Sequence, residues 1–388
     1  ALTGLGVNAA ALILGRLLQG IGAALFSAPA YGLIFSSVPP TKQGMAMGFI
    51  GGASGIGLAT GPSLAGVIIR EASWRWLFYI NIPLCLVVIA VLWWVVPDEK
   101  NAQSVKIDWL SVGLLACGLG TSVFALNQIE AWGLEGRLAT IAGVGISLLV
   151  LFWWRDRGQP LQILPPSFLK NKLFMATVAT MSLCSYCFAL IMVMMSLYLQ
   201  NTLHLNSSET GVAFLAMTLA MGILSLIGGK LADRAGVHVP IMVGSFLLTI
   251  SLLLLSFLTS SSSLWMVGSG LLLAGIGLGL SFPSLNTAMF RTISATEINT
   301  GSGIFTMAMM IANSISVIVA TSLLVIIGRI NLTSLLKESG ISLTTSQQEQ
   351  LSSVIAKAEH TLSQLSGFSP DHVSKLNQFI EYSFLKGF

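Results

Sequence analysis

Ten stretches of this 388-residue chain are apolar, nearly free of charge and longer than the ~17 residues a helix needs to cross a bilayer. They run at about Ala11 to Phe35, Gly44 to Ile69, Trp76 to Val96, Trp109 to Gln128, Leu138 to Trp154, Leu173 to Gln200, Thr210 to Gly229, Val239 to Leu258, Leu264 to Phe290 and Thr300 to Gly328. In hydrocarbon each backbone N–H and C=O must find its partner inside the protein, which leaves spanning helices as the simplest solution for such stretches. Composition agrees, since 54% of the residues are apolar and only 9% are charged, against roughly 25% in a soluble domain. The expected fold class is an all-α polytopic membrane protein.

If the spans alternate, ten basic residues fall on one side: Lys42, Lys100, Lys106, Arg155, Arg157, Lys170, Lys172, Lys230, Arg234 and Arg291. The short connections of the other side hold three, Arg70, Arg75 and Arg137. The basic side is cytoplasmic by the positive-inside rule, and the chain is expected to be a multi-pass protein of the cell inner (plasma) membrane with the lipid bilayer as its surroundings. The net charge of +4 is accounted for by these loop ends and calls for no nucleic acid partner. The chain begins inside an apolar run, Ala1 to Ala10, and ends at Ser383 to Phe388 in what reads as the start of another span. It is expected to be a fragment cut at both ends.

One side chain inside the spans carries a certain charge, Arg16 in Leu12-Ile-Leu-Gly-Arg16-Leu-Leu-Gln19-Gly20. A charge at the bilayer centre costs ~2.5–3.5 kcal/mol on insertion scales, so such a residue is a candidate for function by default. It either snorkels to the outer surface or faces the central cavity, where with Gln19, one turn on, it would hold a water or a carboxylate of another span. A fixed guanidinium would lower that carboxylate's pKa and help to release its proton. The span from Gly44 to Ile69 carries eight glycines, with Pro62 directly after Gly61. Small residues three or four apart let a neighbouring helix come close, and Gly-Pro removes a backbone hydrogen bond and bends the helix. This span reads either as close static packing or as a moving part.

No Asp or Glu lies inside any span, so the chain offers no visible proton carrier. Cys85, Cys117, Cys184 and Cys187 all fall within spans and read as packing residues. There is no phosphate-cradling Gly-Lys-Ser/Thr loop, no metal-ligand set and no nucleophile with a base, so no catalytic residue, cofactor or metal is assigned and an enzyme is not expected. Trp74, Arg75 and Trp76 are interface anchors. Asn81-Ile-Pro83 suggests a local bend, and Met192, Met194 and Met195 near Tyr186 and Phe188 form either an adaptable ligand wall or ordinary packing.

Taken in order, these residues resemble a known family. Leu12-x-x-x-Arg16-x-x-Gln19-Gly20-x-Gly22-Ala-Ala24, then Gly57-x-x-x-Gly61-Pro62-x-x-Ala65-Gly66, then Trp74-Arg-Trp-Leu-Phe-Tyr-Ile-Asn-Ile-Pro83 look like the drug:proton antiporters of the major facilitator superfamily, in their fourteen-span branch. The likeness continues in Pro160-Leu161, in Ser167 to Phe174, in Tyr198-Leu-Gln200 and in Gly229-Lys-Leu-Ala-Asp233-Arg234-Ala-Gly236, the last similar to that family's cytoplasmic gating motif. Two positions depart from the pattern: Ala65 stands where a second glycine is usual, and Val237-His238 replaces a basic pair.

The resemblance implies that Arg16, Gln19 and Gly20 take part in proton coupling. Gly57, Gly61, Pro62 and Gly66 would form the antiporter-motif hinge, and Gly229, Asp233, Arg234 and Gly236 a cytoplasmic gate. It maps the chain onto spans four to thirteen, with the proton-carrying acid in an absent first span. On that map residues 1–96 end an N-terminal bundle, 97–172 hold two linking spans, 173–328 form the C-terminal bundle, and 329–388 are an extracytoplasmic segment before a last span. That segment is expected to hold helices at Gln347 to Leu365 and Ser369 to Phe384, as a lid, a contact for a periplasmic adaptor or a passive connection. The function expected is export of small amphipathic or drug-like compounds in exchange for protons by alternating access. Two alternatives stand: a dedicated exporter of one metabolite, siderophore or lipid, and a non-transporting membrane sensor or scaffold.

Overall fold

A short helix α1 (Leu2–Leu5) precedes α2 (Ala9–Ser36), which starts where the Asn8 side chain accepts the N–H of Ala11 at 2.9 Å. The computed structural model describes residues 2–5, 8–95, 108–128, 136–160, 162–259, 262–294 and 297–338, and every regular element there is helical. A 3-10 turn at Pro40–Lys42 leads into α3 (Gln43–Glu71). Next, α4 (Trp76–Tyr79) and α5 (Asn81–Val95) make one span interrupted at Ile80. Asn81 Nδ2 donates to the Leu77 carbonyl at 2.8 Å, and Pro83 has no N–H to give to Tyr79. The bend expected at Asn81 to Pro83 thus shows itself one residue earlier.

The hairpin of α6 (Trp109–Asn127) and α7 (Gly136–Asp156) follows, then the short α8 (Pro166–Lys170). Helix α9 (Lys172–Leu197) ends in a π-helical turn, Tyr198–Thr202. Three more helices, α10 (Ser207–Arg234), α11 (His238–Ser256) and α12 (Leu264–Arg291), lead to α13 (Ile298–Glu338). Among the described residues nine spans are long and apolar enough to cross a membrane. The glycine-rich α3, with 29 residues, has the length of a tenth and lies where the sequence put one. Helix α13 continues past the expected end at Gly328 to Glu338. The helices expected at Gln347 to Leu365 and Ser369 to Phe384 lie outside the described residues.

The main core lies between α9, α10 and α12, where Phe174, Tyr198, Met217, Leu271, Leu278 and Phe290 are fully enclosed. Met195 is buried and Met192, Met194 and Phe188 pack half-buried against this core, which gives them a packing role here. Cys184 is buried, but Cys85 and Cys117 are exposed, so packing explains the former and not the latter two. Most span hydroxyls satisfy themselves on their own helix: Thr60 on Ile56, Ser122 on Gly118, Thr177 on Leu173, Thr218 on Phe214 and Thr287 on Pro283, all between 2.7 and 2.9 Å or at 3.0 Å. Fewer cross between helices, as Ser251 does to Gly270 O and Ser316 to Tyr186 O, each at 2.7 Å.

Close helix approaches rest on glycine. A Cβ on Gly275 of α12 would run into the Met217 carbonyl of α10, whereas one on Gly268 would meet no described atom within 4 Å. Gly275→Ala is therefore expected to cost ~1–3 kcal/mol through overpacking and to lower the melting temperature in detergent, while Gly268→Ala leaves it unchanged.

The α6–α7 hairpin is closed at its open end by Arg155, which donates to Asp108 from Nε at 3.0 Å and from Nη2 at 3.1 Å. Asp108 also caps α6, accepting from Leu110 N at 3.2 Å and Ser111 Oγ at 2.7 Å. The hydrogen bond from Arg155, then that from Ser111, holds its carboxyl at about 2, below its ordinary 3.8. A lowered pKa stabilises the hairpin fully above the ordinary value and loses that contribution as pH falls towards 2. In thermal melts followed from pH 5 downward, the advantage of wild type over Asp108→Asn is expected to shrink to nothing across that interval.

Candidate functional site

The first backbone N–H groups of α3 have no acceptor in their own helix. Asp233, in the last turn of α10, supplies one: Oδ1 accepts from Gly44 N and Oδ2 from Met45 N, both at 2.8 Å. An acid at a helix C-terminus opposes the dipole of its own helix, but here it faces the positive end of another. Its side chain is 7% exposed, and Arg291 at the end of α12 closes over it, with Nη2 3.0 Å from Oδ1 and 3.2 Å from the Pro40 carbonyl. Arg291 is 36% exposed, so the ion pair adds little and the two backbone bonds carry the contact.

Glycine makes this reach available. A Cβ on Gly229 would collide with the Gly44 carbonyl, and one on Gly44 with the Gly229 carbonyl and, at 2.8 Å, with Asp233 Oδ1. Gly236 ends the motif at φ +86°, in the left-handed region that glycine enters without strain. Arg234, expected to act with Asp233, is exposed at the helix end, and the cation that pairs with Asp233 is Arg291. At the same end Phe35 of α2 stacks on Phe290 of α12 with ring centroids 4.6 Å apart. Gly32 comes up against Ile298 and Asn299 of α13.

Around Arg16, in the N-terminal half of α2, a second constellation forms with Trp74 and Phe78, which follow the end of α3. Arg16 Nη1 donates to Gln19 Oε1 at 3.1 Å, and its guanidinium lies 4.9 Å from the centroid of the Phe78 ring. Trp74 meets Phe78 edge-on at 6.0 Å, and Arg75 covers Trp74 at 4.7 Å. Trp76 is edge-on to Tyr79 at 5.8 Å. Arg16, Gly20, Leu12, Trp74 and Phe78 line an open groove of about 760 Å3. The structure thus brings Arg16, Gln19 and Gly20 together with Trp74. Phe78, part of the Trp74 to Pro83 motif but given no role in the sequence, joins them.

The expected hinge is arranged differently. Helix α3 stays helical through Gly61, Pro62 and Gly66, and a Cβ on Gly57 or Gly61 would meet no described atom within 4 Å. Close approach occurs in the other half of the helix, where Gly44, Gly48, Gly51 and Gly55 lie on Gly222, Ser225 and Gly229 of α10.

Residues 1–317 match the sequence profile of the Major Facilitator Superfamily. The chain belongs to that family. Among its relatives, the multidrug resistance protein Stp of Mycobacterium tuberculosis is 28% identical over 329 residues, covering 83% of this chain and 60% of that protein. The tetracenomycin C resistance and export protein of Streptomyces glaucescens is 29% identical over 284 residues, 71% of this chain and 53% of that one. The lincomycin resistance protein LmrB of Listeria innocua is 28% identical over 249 residues, 64% and 53% respectively. The matched region spans little more than half the length of these relatives.

Asp233→Ala removes a cap worth ~0.5–2 kcal/mol, which corresponds to a roughly 2- to 30-fold rise in how often α3 and α10 part at Gly44. Thiol labelling of Ser225→Cys in a cysteine-free background is expected to accelerate by that factor. Arg291→Gln should change it far less.

Proposed function

We propose that this protein exports small amphipathic or drug-like compounds across the inner membrane in exchange for protons, by alternating access. The observation that carries the reading is the pairing of a closed end with an open one. Asp233 holds α3 to α10 at Gly44, near the C-terminal end of α2, while the Arg16 groove lies in the N-terminal half of α2, with Arg16 ~30 Å from Ser36 by helical rise. A bundle that rocks about the α3–α10 contact would release the first and close the second.

The groove chemistry suits the cargo. Aromatic faces and aliphatic walls accept flat apolar bodies, and a cation held over a ring leaves Trp74 and Phe78 to shape the pocket. Arg16 fits the coupling role because a fixed guanidinium lowers the pKa of a carboxylate brought beside it, so that arrival of the carboxylate expels its proton. Gln19 orients the guanidinium for that encounter. Gly57, Gly61, Pro62 and Gly66 would supply adaptable packing in the outer half of α3, and Gly229, Asp233 and Gly236 the cytoplasmic gate, with Arg291 in the place expected for Arg234. The names of the relatives, which speak of multidrug, tetracenomycin C and lincomycin resistance, support a drug-like cargo. The segment 329–388 would lie on the outer side, where a periplasmic adaptor has access to it.

Inverted vesicles holding the full-length protein test the reading. Cationic and neutral amphipathic compounds are expected to drive proton release with wild type and not with Arg16→Ala. Equal release from both would remove Arg16 from the coupling path, and silence of wild type towards every compound would favour a single dedicated cargo or a non-transport role.

A further inference from the structure

We propose that the junction of α7 with α8 binds the phosphate group of an anionic phospholipid from the cytoplasmic leaflet. Helix α7 ends in Arg155-Asp156-Arg157, and the three side chains go three ways. Arg155 turns to Asp108. Asp156 is only 3% exposed, and its oxygens accept the N–H groups of Ile163 at 2.8 Å and Leu164 at 3.1 Å, which folds the connection back over the helix end. Its negative charge is thereby directed at backbone donors.

Among the described residues no carboxylate pairs with Arg157. Its guanidinium is steadied 4.4 Å over the Trp153 ring, and Gln162 Nε2 donates to its carbonyl at 3.3 Å. Across from it stands Lys170, the last residue of α8, and between them is a cavity of about 230 Å3. That is several times the ~30 Å3 share of a water molecule, so a phosphodiester has room. Trp153, Leu164, Pro166 and Leu169 form the apolar part of the lining, and Asp156 also borders it, its oxygens already engaged by the Ile163 and Leu164 N–H groups. Two cations over an apolar wall match a phosphate joined to a glycerol backbone better than a free ion.

Position points the same way. The cavity sits at span ends on the basic side of the chain, where an anionic leaflet attracts Lys and Arg and where Trp anchors at the interface. It is also tied to the gate. Phe168 of α8 is buried against Phe174, ring centroids 4.9 Å apart, and Asn171 Nδ2 donates to the Thr292 carbonyl at 3.0 Å, one residue from Arg291. A lipid held here would steady the segment that supports Arg291. The inference shares the orientation used for the proposed function, but it is tested by binding alone, so a failure of transport leaves it standing.

Delipidated full-length protein in detergent is titrated with phosphatidylglycerol, phosphatidylcholine or inorganic phosphate and read by native mass spectrometry. Phosphatidylglycerol is expected to bind more tightly than phosphatidylcholine, and Arg157→Gln with Lys170→Gln to weaken it about 30-fold, roughly 5-fold for each basic charge removed. Lys106→Gln and the charge-keeping pair Arg157→Lys with Lys170→Arg should retain it. Equal binding of the two lipids, or no loss in the neutral double variant, would overturn the proposal. Binding of inorganic phosphate alone, lost in the same variant, would keep the phosphate chemistry and overturn lipid as its source.

Discussion

Asp233 belongs to α10 and caps α3, and the closed end of the bundle is organised around that exchange. The carboxylate is misplaced for its own helix and well placed for the neighbour, so it stabilises the structure only while the two helices touch. Gly44 and Gly229 bring the backbones close enough for the contact, Arg291 covers it from α12, and the Phe35–Phe290 stack seals beside it. Under the proposed alternating access its strength suits a contact that must part. A helix cap is worth ~0.5–2 kcal/mol. One proton crossing a potential of 100 mV yields about 2.3 kcal/mol, enough to part the contact under the proposed proton coupling.

Much of this was legible in the chain because membrane folding has few solutions. Long apolar stretches have to be helices, and most of their ends followed from charge and turn residues within a few positions, α13 running ten residues past its expected end at Gly328 being the exception. The Gly229 to Gly236 motif was legible through its resemblance to a family gating motif, since by residues alone it reads equally as a solvated turn. Arg291 was not. It lies 58 residues from Asp233, and a basic residue at a cytoplasmic helix end is what the charge rule alone would leave there. Arg234 looked better by adjacency, but consecutive residues of a helix point about 100° apart, so both could not face α3.

The glycines of α3 carry a related lesson. Their spacing announced a helix made for close approach, yet periodicity cannot tell which end finds the partner. Gly44 to Gly55 meet α10, while Gly57 and Gly61 meet no described atom. Pro62 invited a bend that does not interrupt the helix, whereas the span that follows is interrupted at Ile80, just before Asn81. Arg16 finds Phe78, 62 residues away in the chain, with its guanidinium held 4.9 Å over the ring, a contact that no local pattern around Arg16 announces.

The hydroxyls of the spans have a consequence for motion. Thr60, Ser122, Thr177, Thr218 and Thr287 bond to carbonyls of their own helices, so those bonds travel with the helix that owns them. Two surfaces finished in this way slide with little friction: displacement strips no donor bare in hydrocarbon and creates no need for water to enter. Under the proposed rocking, resistance then comes from the Asp233 contact and from the few hydroxyls that cross between helices, Ser251 to Gly270 and Ser316 to Tyr186, rather than from the helix-bound ones.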